Sequence, residues 1–442
     1  TIPILGTTTS LLATLLVQLD RNPKQITPAK VYLFILWAFN FGLVSLHLVG
    51  LDVEGEIGPT VRWLTNQGQV AEAVRLATLA IVAFALVTVL ARDRAQHSSE
   101  FHESRRSGGA LAIGLLVAGV GLWLAIAVSS LGTDFFTASY KEWLSATSDS
   151  RTWLAYLLMI PAMALLGADQ NKRYRQLGLV VFGIWAIPAF LMGLRGEVLF
   201  PVVSYLVARN HRQPLTIRAS YIIIPIVVAA LGASVRNLRQ EGLSVGAIFE
   251  SLSSPLAALA ETGHSLYVTY LAVAWSSERG EAPLGPMALL NPFAYFLEQL
   301  GYDASVFVSS YSLSVVVGER AGPYGGSVVA EAYRFFGTLG PPLALAAIAL
   351  LLAWLKKRPQ TLQWAFVSGS IVGFLVSTIR GETTGMVVQF SLLAVILLII
   401  EIQQLMSGSG TGLHRAQLRE HSRTPNGNSR FYGEHRDCCT IR

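Results

Sequence analysis

Apolar runs of about twenty residues, separated by short polar stretches, recur along the chain as far as residue 405, and a run of that length crosses a hydrocarbon core as a helix. This pattern predicts an all-α, polytopic membrane protein with about eleven transmembrane helices. Their centres fall near residues 10, 40, 82, 120, 160, 185, 202, 227, 347, 370 and 394. The seventh run is short and holds Pro201, which predicts a broken or tilted helix. One stretch departs from the pattern. Residues 235–336 are too apolar for disorder and too polar to span, and residues 244–275 carry apolar side chains at helical spacing with polar breaks. That spacing predicts one or two amphipathic helices on or near the membrane surface. The expected organisation is helices one to eight over 1–234, an extracytoplasmic loop region over 235–336, and helices nine to eleven over 337–405. A Gly-, Ser-, Arg- and Asn-rich tail, 406–442, is expected to be disordered on the cytoplasmic side.

Composition strengthens the membrane reading. Only 14% of the 442 residues are charged while 52% are hydrophobic, and mean hydropathy is +0.50; a soluble domain carries about a quarter charged residues. The net charge of +6 does not form a nucleic-acid-binding face, because the basic residues sit in short loops between apolar runs. They cluster after alternate runs: Arg21, Lys24 and Lys30; Arg92 to Arg106; Lys172 to Arg175; Arg209 to Arg218; Lys356 to Arg358; and the tail. The positive-inside rule makes that face cytoplasmic. Cys438 and Cys439 are adjacent and say nothing about redox compartment. The first run lacks a basic leader, so no cleavable signal peptide is expected.

Candidate chemistry lies on the opposite face. Arg195-Gly196-Glu197 and Arg380-Gly381-Glu382 repeat one tripeptide at the ends of two apolar runs, and Arg236 and Arg239 follow a third run at the same level. Snorkelling of a long side chain to the headgroups accounts for any one of these arginines. Four at one depth point to phosphate, which the guanidinium fork binds through paired hydrogen bonds. Arg279-Gly280-Glu281 repeats the tripeptide in a hydrophilic loop, so placement at span ends, not the tripeptide, carries this argument. A second constellation is AGPYGGSVVAEAYRFFGTLG, 321–340. Gly322, Gly325 and Gly326 permit close backbone approach. Glu331 falls on the first turn of a helix, where an acidic residue is favourable in any case.

The Gly-Gly-Ser, Ala-Glu-Ala-Tyr, Phe-Gly, Leu-Gly series before a late span resembles the bacterial O-antigen and oligosaccharide repeat-unit polymerases of the Wzy family, over roughly 180–385. The resemblance implies a GT-C-like membrane glycosyltransferase of the bacterial inner membrane, with its active site facing the periplasm. It would transfer a growing glycan from undecaprenyl diphosphate to the sugar of an incoming lipid-linked repeat unit. The family positions carried over are Arg195, Gly326, Glu331, Tyr333, Gly337 and Arg380. In that reading Arg195, Arg236, Arg239 and Arg380 neutralise the departing diphosphate. Glu331 is the candidate base, with His264, one turn beyond Glu261, as the second. Tyr324, Gly325, Gly326 and Tyr333 are candidate substrate contacts, with Tyr295 and Phe296 on the glycan path. A chain-length regulator is the expected protein partner; neither nucleic acid nor a cofactor is expected.

Three alternatives are weighed. Asp52, Glu54 and Glu56 are oxygen ligands suited to Mg²⁺ or Mn²⁺, but the reading favoured for them is a solvated acidic loop with no metal. A transporter or flippase of lipid-linked glycan would show an inverted repeat and charges at mid-membrane, neither of which the sequence displays. An O-antigen ligase would use the same donor and differ in its acceptor.

Overall fold

The computed structural model describes residues 2–18, 26–50, 59–91, 108–132, 153–191, 194–213, 215, 263–322 and 324–421. Every regular element among them is helical: α1 (Ile2–Gln18), α2 (Pro28–Leu48), α3 (Gln67–Leu90), α4 (Gly109–Leu131), α5 (Trp153–Ala168), α6 (Lys172–Leu191), α7 (Arg195–Arg212), α8 (His264–Arg279), α9 (Asn291–Gln299), α10 (Ser305–Tyr311), α11 (Leu313–Arg320), α12 (Val328–Phe336), α13 (Gly340–Lys356), α14 (Leu362–Arg380) and α15 (Met386–His421), with short 3₁₀ turns between some of them. Among the described residues six helical segments are long and apolar enough to cross a membrane, and Ile2–Gln18 and Trp153–Ala168 are shorter apolar helices. Each predicted centre falls inside a described helix except 227, which lies outside the described residues.

Residues 1–394 form one compact unit. Within it α5, α7 and α14 pack together, as do α1, α3 and α13. Small residues bring α7 and α14 close: a Cβ on Gly369 would meet the Ser204 carbonyl oxygen at 2.6 Å, and one on Gly373 would meet Ile160 at 2.8 Å and Ser204 at 3.0 Å. Such small-residue contacts let helices associate where lipid supplies no hydrophobic drive. The two helices run antiparallel. At one end the His211 ring meets the Pro359 carbonyl oxygen at 3.1 Å, and Arg212 Nη1 donates to the Gln360 carbonyl at 2.6 Å. This is the end of the basic loops. From the level where Gly373 faces Phe200, Arg380 lies seven residues on and Arg195 five residues back. At 1.5 Å per residue those are ~10.5 and ~7.5 Å, so both tripeptides reach the opposite end within about one turn of each other.

Two expectations are corrected. The described part of 244–275 does not lie on a surface as an amphipathic helix. It is α8, which packs against α2, α3 and α12 and buries Leu266, Val268, Thr269 and Ala272 among others. Its polar breaks, Ser265 and Thr269, are buried hydrogen-bonding groups and not a solvated face. The tail boundary at 406 is also not a break in backbone, because α15 continues to His421; residues 422–442 lie outside the described residues. The second unit, 395–442, is described only as the later part of α15.

Candidate active site

The turn after α14 is fixed through almost every residue. Ser265 Oγ, at the start of α8, donates to the Ile379 carbonyl at 3.1 Å. The Gly326 backbone N–H donates to the Arg380 carbonyl at 2.9 Å. This backbone-on-backbone seating requires the glycines. A Cβ on Gly325, where φ is +76°, would meet the Arg380 carbonyl oxygen at 2.9 Å, and one on Gly326 would collide with the Gly381 carbonyl. The Thr383 N–H and hydroxyl donate to Glu331 at 2.9 and 2.8 Å. Buried Asn291, at the start of α9, donates through Nδ2 to Thr384 Oγ1 at 3.0 Å.

Both carboxylates near the turn are occupied by neutral donors. Glu382 accepts from the Ser312 hydroxyl at 2.8 Å, and from the Ser314 hydroxyl at 2.8 Å and its N–H at 3.1 Å. These groups are the cap and first turn of α11, where a negative charge is favourable. Glu331, only 2% exposed, gives both oxygens to Thr383. Arg380 is exposed, and among the described residues no hydrogen bond or ion pair engages its guanidinium. The arrangement sets an unneutralised fork on a rigid turn, which is what binding an external oxyanion requires.

Aromatic residues stand beside the turn. The His264 ring stacks on Tyr324 at 6.1 Å, and Tyr324 meets Tyr267 edge-on at 4.8 Å. Tyr295 of α9 packs on Trp153 at 6.2 Å. Burial first, then the Glu298 and Glu382 carboxylates, hold the Tyr295 phenol above its ordinary value.

The structure therefore gathers His264, Tyr324, Gly325, Gly326, Glu331 and Arg380 at one place. Arg195 opens α7 at the same end of the bundle. Tyr333 is not among these contacts: with Arg334 it lines a cavity against the end of α8 and the loop 281–284. Arg236, Arg239, Glu261 and the acidic loop Asp52, Glu54 and Glu56 lie outside the described residues. Gly337 has φ +62° where α12 turns toward α13, a left-handed position that favours glycine. The third tripeptide proves to be a helix end, with Gly280 at φ +65° capping α8. Ser312, Ser314, Glu382 and Thr383 were not distinguished by sequence. Only the position of Glu382 within its tripeptide hinted at a role.

The family of O-antigen polysaccharide polymerase Wzy matches residues 4–408 of the chain, nearly its full length. The chain belongs to this family. No curated protein and no solved structure matches it. The Wzy match spans both the Arg195 and Arg380 turns and the whole 321–340 series, so the residues gathered here all fall within the matched region. The family is one of O-antigen polymerases, and among the described residues of this chain are helices long and apolar enough to cross a membrane.

Proposed function

We propose that this Wzy-family chain polymerises oligosaccharide repeat units carried on undecaprenyl diphosphate, at the extracytoplasmic face of the bacterial inner membrane. The observation that supports this most is the free Arg380 guanidinium on a turn clamped by α8, α9, α12 and the Gly325–Gly326 segment, level with Arg195. The site stands at the bundle end away from the basic loops, which the positive-inside rule makes extracytoplasmic. Exposed Phe293 and Leu297 on α9, Leu300 just after it and Val306 on α10 give this end apolar surface suited to the headgroup boundary.

In the proposed reaction the acceptor sugar's hydroxyl oxygen bonds to the anomeric carbon of the donor glycan. The bond from that carbon to the diphosphate oxygen breaks, and its electron pair leaves with the diphosphate. Arg380 and Arg195, with Arg236 and Arg239, receive the charge as it develops. The proton of the acceptor hydroxyl passes to His264, which is partly exposed beside the Gly325–Gly326 turn. Glu331, sealed inside the fold and committed to Thr383, acts as a positioning residue that holds the Arg380 turn. The test is polymer formation by the purified full chain in nanodiscs with lipid-linked repeat units and a chelator present. A ladder of lengthened glycan on the lipid supports the reading. Unchanged single repeats from folded protein overturn it.

A further inference from the structure

A cavity of about 330 Å³ opens between the end of α8, the loop 281–284, the end of α11, and α12. Its wall is fixed by the Leu284 and Gly285 N–H groups, which donate to the Arg334 and Phe335 carbonyls at 2.8 and 3.0 Å. Trp275 and Tyr333 supply aromatic surface, and the charged lining is Arg320, Arg334 and Glu281, two cations against one anion. Glu281 is already paired with Arg320, which also lies over the Trp275 ring at 5.1 Å. Arg334 is left over. Among the described residues no hydrogen bond or ion pair engages its guanidinium, and the residue is only partly buried. Glu331 and Glu382, the other carboxylates acting on it, are held by Thr383, Ser312 and Ser314. A half-buried guanidinium with unmet hydrogen-bonding capacity favours an anion that enters the cavity.

We infer that this cavity is a subsite for an acidic sugar of the glycan, with its ring against Tyr333 and its carboxylate on Arg334. The inference rests on the polymerase reading and names a substrate class for it. The volume is at the small end of ligand pockets, ~300–1,000 Å³, which suits a sugar unit rather than a lipid. Position agrees. The cavity runs away from the Arg380 turn: Arg334 lies one turn of α12 beyond Glu331, and Trp275 lies ten residues along α8 from Ser265, or ~15 Å at 1.5 Å per residue. A glycan whose diphosphate end lies at Arg380 would present a later sugar there.

The full chain in zwitterionic nanodiscs would be titrated with glucuronate and galacturonate, and with glucose and galactose as neutral parents, by saturation-transfer NMR. At least one uronate should bind about tenfold more tightly than its parent, the factor for ~1.4 kcal/mol. Arg334→Gln should abolish that preference, Glu281→Gln should strengthen it, and Arg380→Ala should leave it unchanged. Equal binding of acid and neutral sugar, or a preference that survives Arg334→Gln, overturns the inference. So does loss of uronate binding in phosphatidylglycerol nanodiscs, which would assign the site to a lipid headgroup. Should Arg334→Gln not fold, the direction of the Glu281→Gln effect decides. Polymer formation without uronate preference defeats this inference alone, whereas uronate preference without polymer formation defeats the polymerase reading alone.

Discussion

The backbone N–H of Gly326 donates to the carbonyl oxygen of Arg380 at 2.9 Å, joining the glycine-rich segment to the arginine turn with no side chain between them. A methyl group at Gly326 would also stand 2.6 Å from the Gly381 carbonyl carbon, so one backbone must move. Gly326→Ala should abolish polymer formation. Gly318→Ala is the control, because nothing lies within 4 Å of its added Cβ and its φ is ordinary. It should be neutral, or more stable by up to ~1 kcal/mol in helix α11. Polymer assays and thermal unfolding of the two variants check this pair.

Glu382 is kept from Arg380 by Ser312 and Ser314. Without those hydroxyls the carboxylate becomes a competitor for the guanidinium. Ser312→Ala/Ser314→Ala should lower polymerisation by about fivefold, the scale of a ~1 kcal/mol competing ion pair, beyond any loss of stability from the missing cap. Adding Glu382→Gln removes the competing charge and should restore the rate. Failure of this rescue in folded protein would mean that the serines act only on α11.

Glu331 accepts from the Thr383 N–H and hydroxyl. A glutamine carbonyl can still accept from the amide, so Glu331→Gln should keep polymerisation within a few fold. Glu331→Ala leaves those donors without an acceptor, at a cost of ~1–3 kcal/mol. In contrast His264→Gln should slow transfer by ~10²-fold or more with donor binding unchanged, the scale of a lost general base. A ~10²-fold loss in Glu331→Gln with His264→Gln active would make Glu331 the base.

The apolar pattern located most of the helices because each must satisfy its backbone internally in lipid, and that demand is written in consecutive residues. The equal depth of Arg195 and Arg380 was legible for the same reason. Polar groups turned inward were not. Ser265 and Thr269 read as a solvated stripe, yet their hydroxyls are satisfied inside the bundle. The partners of Glu382 lie 68 and 70 residues away in sequence, and nothing local to Glu382 records them. For Glu331 likewise, the sequence shows a helix start but not the Thr383 donors 52 residues on.

Orientation follows from the charge distribution. After Cys438→Ser and Cys439→Ser, a cysteine replacing His97 should resist an impermeant thiol reagent in intact cells. A cysteine replacing exposed Ser309 should react. The reverse result would invert the topology and move the proposed site to the cytoplasm.

In the proposed reaction Arg380 is the group that takes up the charge of the departing diphosphate. The decisive measurement is the turnover rate of purified Arg380→Ala and Arg380→Lys at saturating lipid-linked donor, alongside their thermal stability. Arg380 is exposed and unpaired among the described residues, so both variants should unfold within ~0.5 kcal/mol of the parent. Arg380→Ala should lose ~10²-fold or more in rate, the scale of one lost oxyanion donor, and Arg380→Lys should recover little, because an ammonium cannot make the paired contact. Arg380→Ala turning over within a few fold of the parent would contradict the account and leave Arg380 a headgroup anchor.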